Sequence, residues 1–188
     1  MRKIPTLFVR DENDRRYVTD QVTPGCEWVL AGEGVATRKY DGTCVLFDGG
    51  AWFARREVKP GKKAPEGFIE ADYDEATGKT VGWEPISQSS FAKLHAEAVE
   101  YADEGMPEIG TYELVGPKVN GNPEGVYHHM LVRHADAQTF GATGVPRIYN
   151  DLRTLVLALA KDGWEGLVWH HPDGRMAKLK ARDFPKAG

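Results

Sequence analysis

The sequence predicts an α+β fold dominated by antiparallel sheet. Three observations carry that expectation. Short apolar runs rich in β-branched and aromatic residues recur along the chain, glycine-centred turns separate them, and two segments alone space their apolar residues as a helix does. With 188 residues, 41% hydrophobic and 28% charged, the chain has enough apolar material for one domain with a sizeable core, spanning residues 1–188.

Taken in order, residues 45–47 and 51–55 flank "DGG", a short-hairpin signal. "GFIEADYDEATGKTVGWEPI" reads as a second hairpin turning at residues 77–79. The "GKT" within it is not a phosphate loop, because Tyr73 stands where that motif requires glycine. Residues 89–104 place Phe91, Leu94, Ala98 and Tyr101 at helical spacing, with Ser89 or Ser90 as the cap and Gly105 as the stop. Residues 151–162 predict a second helix, capped by Asn150, buried along Leu152, Leu155, Val156 and Leu159, and ended by Gly163. "GTYELVG", "HHMLVRH" and "EGLVWHH" read as buried strands, and "MAKLKARDF" as a strand with Lys178 and Lys180 on one face and Leu179 on the other.

A formal net charge of −4 argues against a grip on long duplexes and leaves room for a local basic cleft. Cys26 and Cys44 are too few for a disulfide framework and lack metal-ligand spacing, so both read as small core residues. The adjacent pairs His128-His129 and His170-His171 would point to opposite faces of a strand, which does not suit chelation of one metal. No apolar run reaches membrane-spanning length and no signal-peptide core precedes the first acidic residues, so a cytoplasmic protein is expected.

Charged residues interrupt the apolar strands at Lys39, Glu113, Glu165, Lys178 and Lys180. One by one they read as solvated strand ends or an edge strand. Together, two carboxylates and several cations suit a cleft in which acids hold a divalent ion and amines hold a phosphate. Burial beside Lys178 and Lys180 would lower the pKa of the Lys39 amine and make it nucleophilic.

These residues resemble the covalent nucleotidyltransferase superfamily of ATP-dependent DNA ligases, RNA ligases and mRNA-capping guanylyltransferases. "KYDG" matches the K-x-D-G nucleophile motif, "ARRE" the arginine motif, "YELVG" the central glutamate, "EGLVW" the second glutamate and "KLK" the closing lysines, all in the family's order. The resemblance implies the family's antiparallel-sheet-rich, ATP-grasp-like nucleotidyltransferase core with a few helices. It also implies that Lys39 attacks the α-phosphorus of ATP to form lysine-AMP, and that Asp41 and Gly42 shape the turn presenting it. Arg55 or Arg56 contacts ribose or phosphate, Glu113 a ribose hydroxyl, and Lys178 and Lys180 the α-phosphate. Glu165, and Asp41 with it, would hold Mg2+ or Mn2+, and His129 or Leu131 would stack on the base.

The chain stops soon after "KLKARDFPKAG", where DNA ligases and capping enzymes continue into an OB-fold domain. The RNA-ligase branch is therefore expected: AMP passes to an RNA 5′-phosphate and a 3′-hydroxyl seals the strand, as in RNA repair. RNA ends or nicked RNA duplex are the expected partners, with room for a protein that supplies specificity and with no membrane. Guanylyl transfer from GTP, DNA nick sealing and a non-catalytic nucleotide- or RNA-binding relic are the competing readings. A relic should have lost one of the motif residues, and none is lost.

Overall fold

The structure is a computed structural model that describes residues 3–75, 77–102, 107–141 and 144–185. Along the chain run β1 (Phe8–Arg10), β2 (Val18–Val22), α1 (Glu27–Ala31), β3 (Val35–Lys39), β4 (Thr43–Phe47) and β5 (Trp52–Val58). Next come β6 (Ile69–Asp74), β7 (Lys79–Pro85), α2 (Ala92–Glu100), β8 (Gly110–Val115) and β9 (Met130–Arg133). The last are β10 (Thr139–Phe140), α3 (Tyr149–Lys161), β11 (Gly166–His170) and β12 (Met176–Lys180). Among the described residues the strands pair antiparallel in sheets of two, four and six, and with three α-helices the class is α+β. Among the described residues no helix is long and apolar enough to cross a membrane. The backbone divides into two compact units, one of Ile4–Tyr40 with Ala137–Gly188, the other of Asp41–Asp136 with the first three residues. The division falls inside "KYDG".

The first unit is built on a four-stranded sheet in the order β10-β3-β11-β12. Side-chain alternation gives it one apolar and one polar face. Ala36, Leu167, Trp169, Ala177 and Leu179 form the apolar face and pack with Leu152 and Val156 of α3 and with Leu7, Phe8, Trp28 and Phe184. Burying side chains of this size at about 25 cal/mol per Å² of apolar surface is the main force holding the helix to the sheet. Leu155 and Leu159 are half-buried against the same cluster. The α3 helix starts earlier than its sequence indicates: Ile148 occupies the cap position in extended conformation, with no side-chain cap, and Asn150 lies inside the helix. The cause is Tyr149, whose ring packs edge-on against Phe8 (5.0 Å) and Phe184 (5.7 Å) and draws the first turn onto the core. Gly163 follows with φ +81°, a left-handed conformation that ends the helix as expected.

In the same unit, β12 ends its sheet, yet its edge is covered. Leu7 N donates to the Lys178 carbonyl (2.8 Å) and Lys178 N donates to the Pro5 carbonyl (3.0 Å).

The second unit is a six-stranded meander-like sheet in the order β6-β7-β5-β4-β8-β9. The hairpin of β4 and β5 turns at "DGG", where the Asp48 carboxylate accepts from Gly50 N (2.8 Å) and Ala51 N (2.7 Å). On one face Val45, Phe47, Tyr112 and Leu114 pack with Ala98 of α2, and Trp52, Phe91, Leu94 and Leu131 close around them. The α2 helix is shorter than expected. A 3-10 turn at Ile86–Gln88 precedes it, and Phe91 holds the cap position without a side-chain bond. Ser89 Oγ instead accepts from Phe91 N (3.3 Å), outside the helix, so neither serine caps it. Tyr101 is exposed beyond the last turn and stacks on His128, with ring centroids 4.9 Å apart. Glu104 and Gly105 lie outside the described residues.

Candidate functional site

Register places the lysines. Lys39 at the end of β3 and Lys180 at the end of β12 both pair with Gly166 of β11, so the three form one row across the sheet. Thr37, Val168 and Lys178 form the next row. All lie on the polar face, opposite the core. Gly166 has a steric reason: a Cβ there would run into the carbonyl oxygen of Leu179 on the neighbouring strand. Glu165, just before it, turns its carboxylate into this row. Its side chain is 7% exposed, and Oε2 accepts from Lys39 Nζ at 2.5 Å while Oε1 accepts from Lys180 Nζ at 2.7 Å. Arg182 NH2 adds a contact to Oε1 at 3.3 Å. His170 belongs to the same face and contacts Thr37 Oγ1 through Nε2 (3.1 Å).

The electrostatics follow from four cations around one buried carboxylate. Burial pushes the Glu165 carboxyl up, but the Lys39 charge and the hydrogen bonds from Lys180 and Lys39 outweigh it and leave its pKa below the ordinary value. Burial, then the charges of Lys180 and Lys39, bring Lys178 down to about 8. Lys180 is lowered as well, again chiefly by burial. Both Glu165 oxygens accept from cations. The arrangement suits an oxyanion on the lysine face and a Lys39 amine in a fixed direction.

A buried support lies beneath. Asp183, 2% exposed, accepts from Arg10 NH2 (2.7 Å) through Oδ1 and from Lys180 N (2.9 Å) through Oδ2, which ties the end of β12 in place.

The second unit carries the other residues singled out by sequence. Gly42 N donates to Glu113 Oε1 (3.1 Å), and a Cβ on Gly42 would meet the Leu114 carbonyl. Asn120 Nδ2 donates to Asp41 Oδ1 (2.9 Å) and to the Gly42 carbonyl (3.0 Å), while Glu124 Oε1 accepts from Asp41 N (2.8 Å). Glu113 pairs across with Cys44 and Val132. Strand alternation puts Arg55 on the same sheet face as Glu113, and puts Arg56, half-exposed and 3.8 Å from Glu84, on the α2 face. Leu131 and His129 also belong to the α2 side: Leu131 packs in the core there, and His129 Nδ1 contacts Glu97 at 2.8 Å. Val132, directly across from Glu113 on β9, shares its face.

Sequence reasoning missed Asn120, Glu124, Val132, Arg182 and Asp183. Asn120 left a trace, since the "NGN" turn holds Asn120 and Asn122 at positive φ; the others left none until register was known.

No family model matches the chain. It is 28% identical to RNA ligase 1 of Pongo abelii over 166 aligned residues, which cover 68% of this chain and 49% of that protein. It is 27% identical to RNA ligase 1 of Rattus norvegicus over an alignment 215 positions long, covering 77% of this chain and 65% of the relative. The same figures hold for RNA ligase 1 of Mus musculus. The chain is similar to RNA ligases. It spans about half to two-thirds of the length of these relatives.

Proposed function

We propose that the chain is an ATP-dependent RNA ligase in which Lys39 carries AMP between half-reactions. One observation carries the reading: the Lys39 amine is held on the buried Glu165 carboxylate, on the sheet face that also bears Lys178 and Lys180. Similarity to the RNA ligase 1 proteins supports the substrate class.

In the proposed reaction the Lys39 ammonium loses a proton to solvent and its nitrogen attacks the α-phosphorus of ATP. The N–P bond forms as the P–O bond to pyrophosphate breaks, and the second proton leaves the nitrogen to give a phosphoramidate. Glu165 keeps the amine directed and remains neutralised by Lys180 and Arg182 when Lys39 gives up its charge. Lys178 and Lys180 offset the charge that grows on the α-phosphate, so the catalysis is positioning and electrostatics. Magnesium or manganese enters as the counter-ion of the ATP phosphates. In the same proposal Glu113 carries the ribose contact, with Arg55 as the arginine that shares its face.

AMP then moves to an RNA 5′-phosphate, breaking the N–P bond and forming an anhydride. An RNA 3′-hydroxyl attacks the 5′-phosphorus and expels AMP. The test is incubation with magnesium and ATP labelled at the α-phosphate, followed by denaturing electrophoresis. Wild-type protein should take up label and Lys39→Ala none; label persisting in the variant, or absent from the wild type, overturns the reading. Nicked RNA and nicked DNA offered to labelled protein then decide the strand that is sealed.

A further inference from the structure

We infer that Cys44, Glu113 and His134 form a site for a thiophilic divalent ion such as Zn2+. The three come from neighbouring strands of one sheet. Cys44 of β4 pairs across from Glu113 of β8, and His134 follows directly on β9. The Cys44 sulfur, a Glu113 carboxylate oxygen and a His134 ring nitrogen all lie within 4.8 Å of one another. Thiolate, imidazole and carboxylate together match the ligand preference of zinc and cobalt and not that of magnesium, which favours oxygen alone.

The surroundings already orient two of these ligands. His134 Nδ1 lies 2.9 Å from Thr111 Oγ1, to which it can donate once Nε2 binds a metal. Gly42 N donates to Glu113 Oε1 and leaves Oε2 turned towards His134 Nε2, 3.0 Å away. That last contact joins two acceptors unless a proton sits between them. A metal ion takes the place of that proton. Glu113 is buried at 8% exposure, where a charged carboxylate needs a fixed counter-charge. Partners of this kind, fixing the tautomer of a histidine and the tilt of a carboxylate, accompany protein metal sites. Three protein ligands leave a fourth tetrahedral position for water or an incoming ligand. Binding displaces the Cys44 thiol proton and the one shared by His134 and Glu113. On the proposed function, an ion here would withdraw Glu113 from the ribose, so zinc would oppose nucleotide binding.

The test uses the chelator-treated full chain without nucleotide, so its failure leaves the ligase reading standing, and a failed labelling experiment leaves the metal site standing. Co2+ should produce a thiolate charge-transfer band and the visible bands of a tetrahedral ion, saturating at one ion per chain, bleached by Zn2+ and untouched by Mg2+. Cys44→Ser and His134→Gln should lose the band, and Cys26→Ser should keep it. In the wild type, Zn2+ should slow alkylation of Cys44, read by mass spectrometry, more than tenfold. No thiolate band, a band that survives Cys44→Ser, or unchanged Cys44 alkylation would overturn the site.

Discussion

Lys39 and Lys180 grip opposite oxygens of one carboxylate, that of Glu165, from the two strands that flank it. When one lysine gives up its charge, the other and Arg182 still neutralise the carboxylate. The effect of Glu165→Gln follows directly. It removes the only acidic group that these amines contact among the described residues and leaves Lys39, Lys178 and Lys180 facing each other at partial burial. Losing one member of a buried charge cluster costs about 3 kcal/mol or more. Urea unfolding should show that loss, and covalent labelling by ATP should fall further than the stability change explains.

Lys178 gives the protein a distinctive alkaline response. Its folded pKa of about 8 lies below its ordinary 10.5. Below about pH 8 the amine is charged in both states, and the folded state bears the cost of holding it near Lys180 and Lys39. Between these values the unfolded chain binds more protons, so stability rises with pH. Lys178→Met should therefore be more stable than wild type at neutral pH, by about 3 kcal/mol, with the gap closing towards about pH 10. A gap that widens with pH contradicts the assignment.

Gly166 and Gly42 are both required for space. At Gly166 and at Gly42, a Cβ would meet a neighbouring strand's carbonyl oxygen, which no rotamer change relieves. Either alanine variant should cost about 1–3 kcal/mol by overpacking. Gly50, where the nearest atom to an added Cβ is 3.7 Å away, is the control and should tolerate alanine. Thermal melts of the three variants make the comparison.

Asn120 acts on the turn that follows Lys39. Its side chain holds Asp41 and the Gly42 carbonyl, and its own φ of 49° is one that asparagine tolerates better than alanine. Asn120→Gly keeps the backbone and loses both bonds; Asn120→Ala loses the bonds and adds strain. Both should reduce labelling, and the alanine variant should be less stable than the glycine variant by about 1 kcal/mol.

Period-two patterning made β12 legible down to the face of each lysine, and the glycine stop of α3 was equally plain. What sequence could not supply was register. Arg55 and Arg56 are adjacent, and the pairings of β5, β7 and β4 alone put Arg55 on the Glu113 face. Leu131 and Val132 differ in the same way: pairing with Leu114 sends Leu131 to the helix side, while Val132 stands across from Glu113. At α3, tertiary packing of Tyr149 overrode the capping preference of Asn150.

The main-chain bonds of Lys178 to Pro5 and Leu7 carry one more consequence. Sliding β12 by a single residue would drive both amines into the hydrocarbon interior and throw Leu179 out to water. Stitched on its outer side, the strand is kept in phase, so Pro5 and Leu7 act as a ratchet pawl for the lysine row.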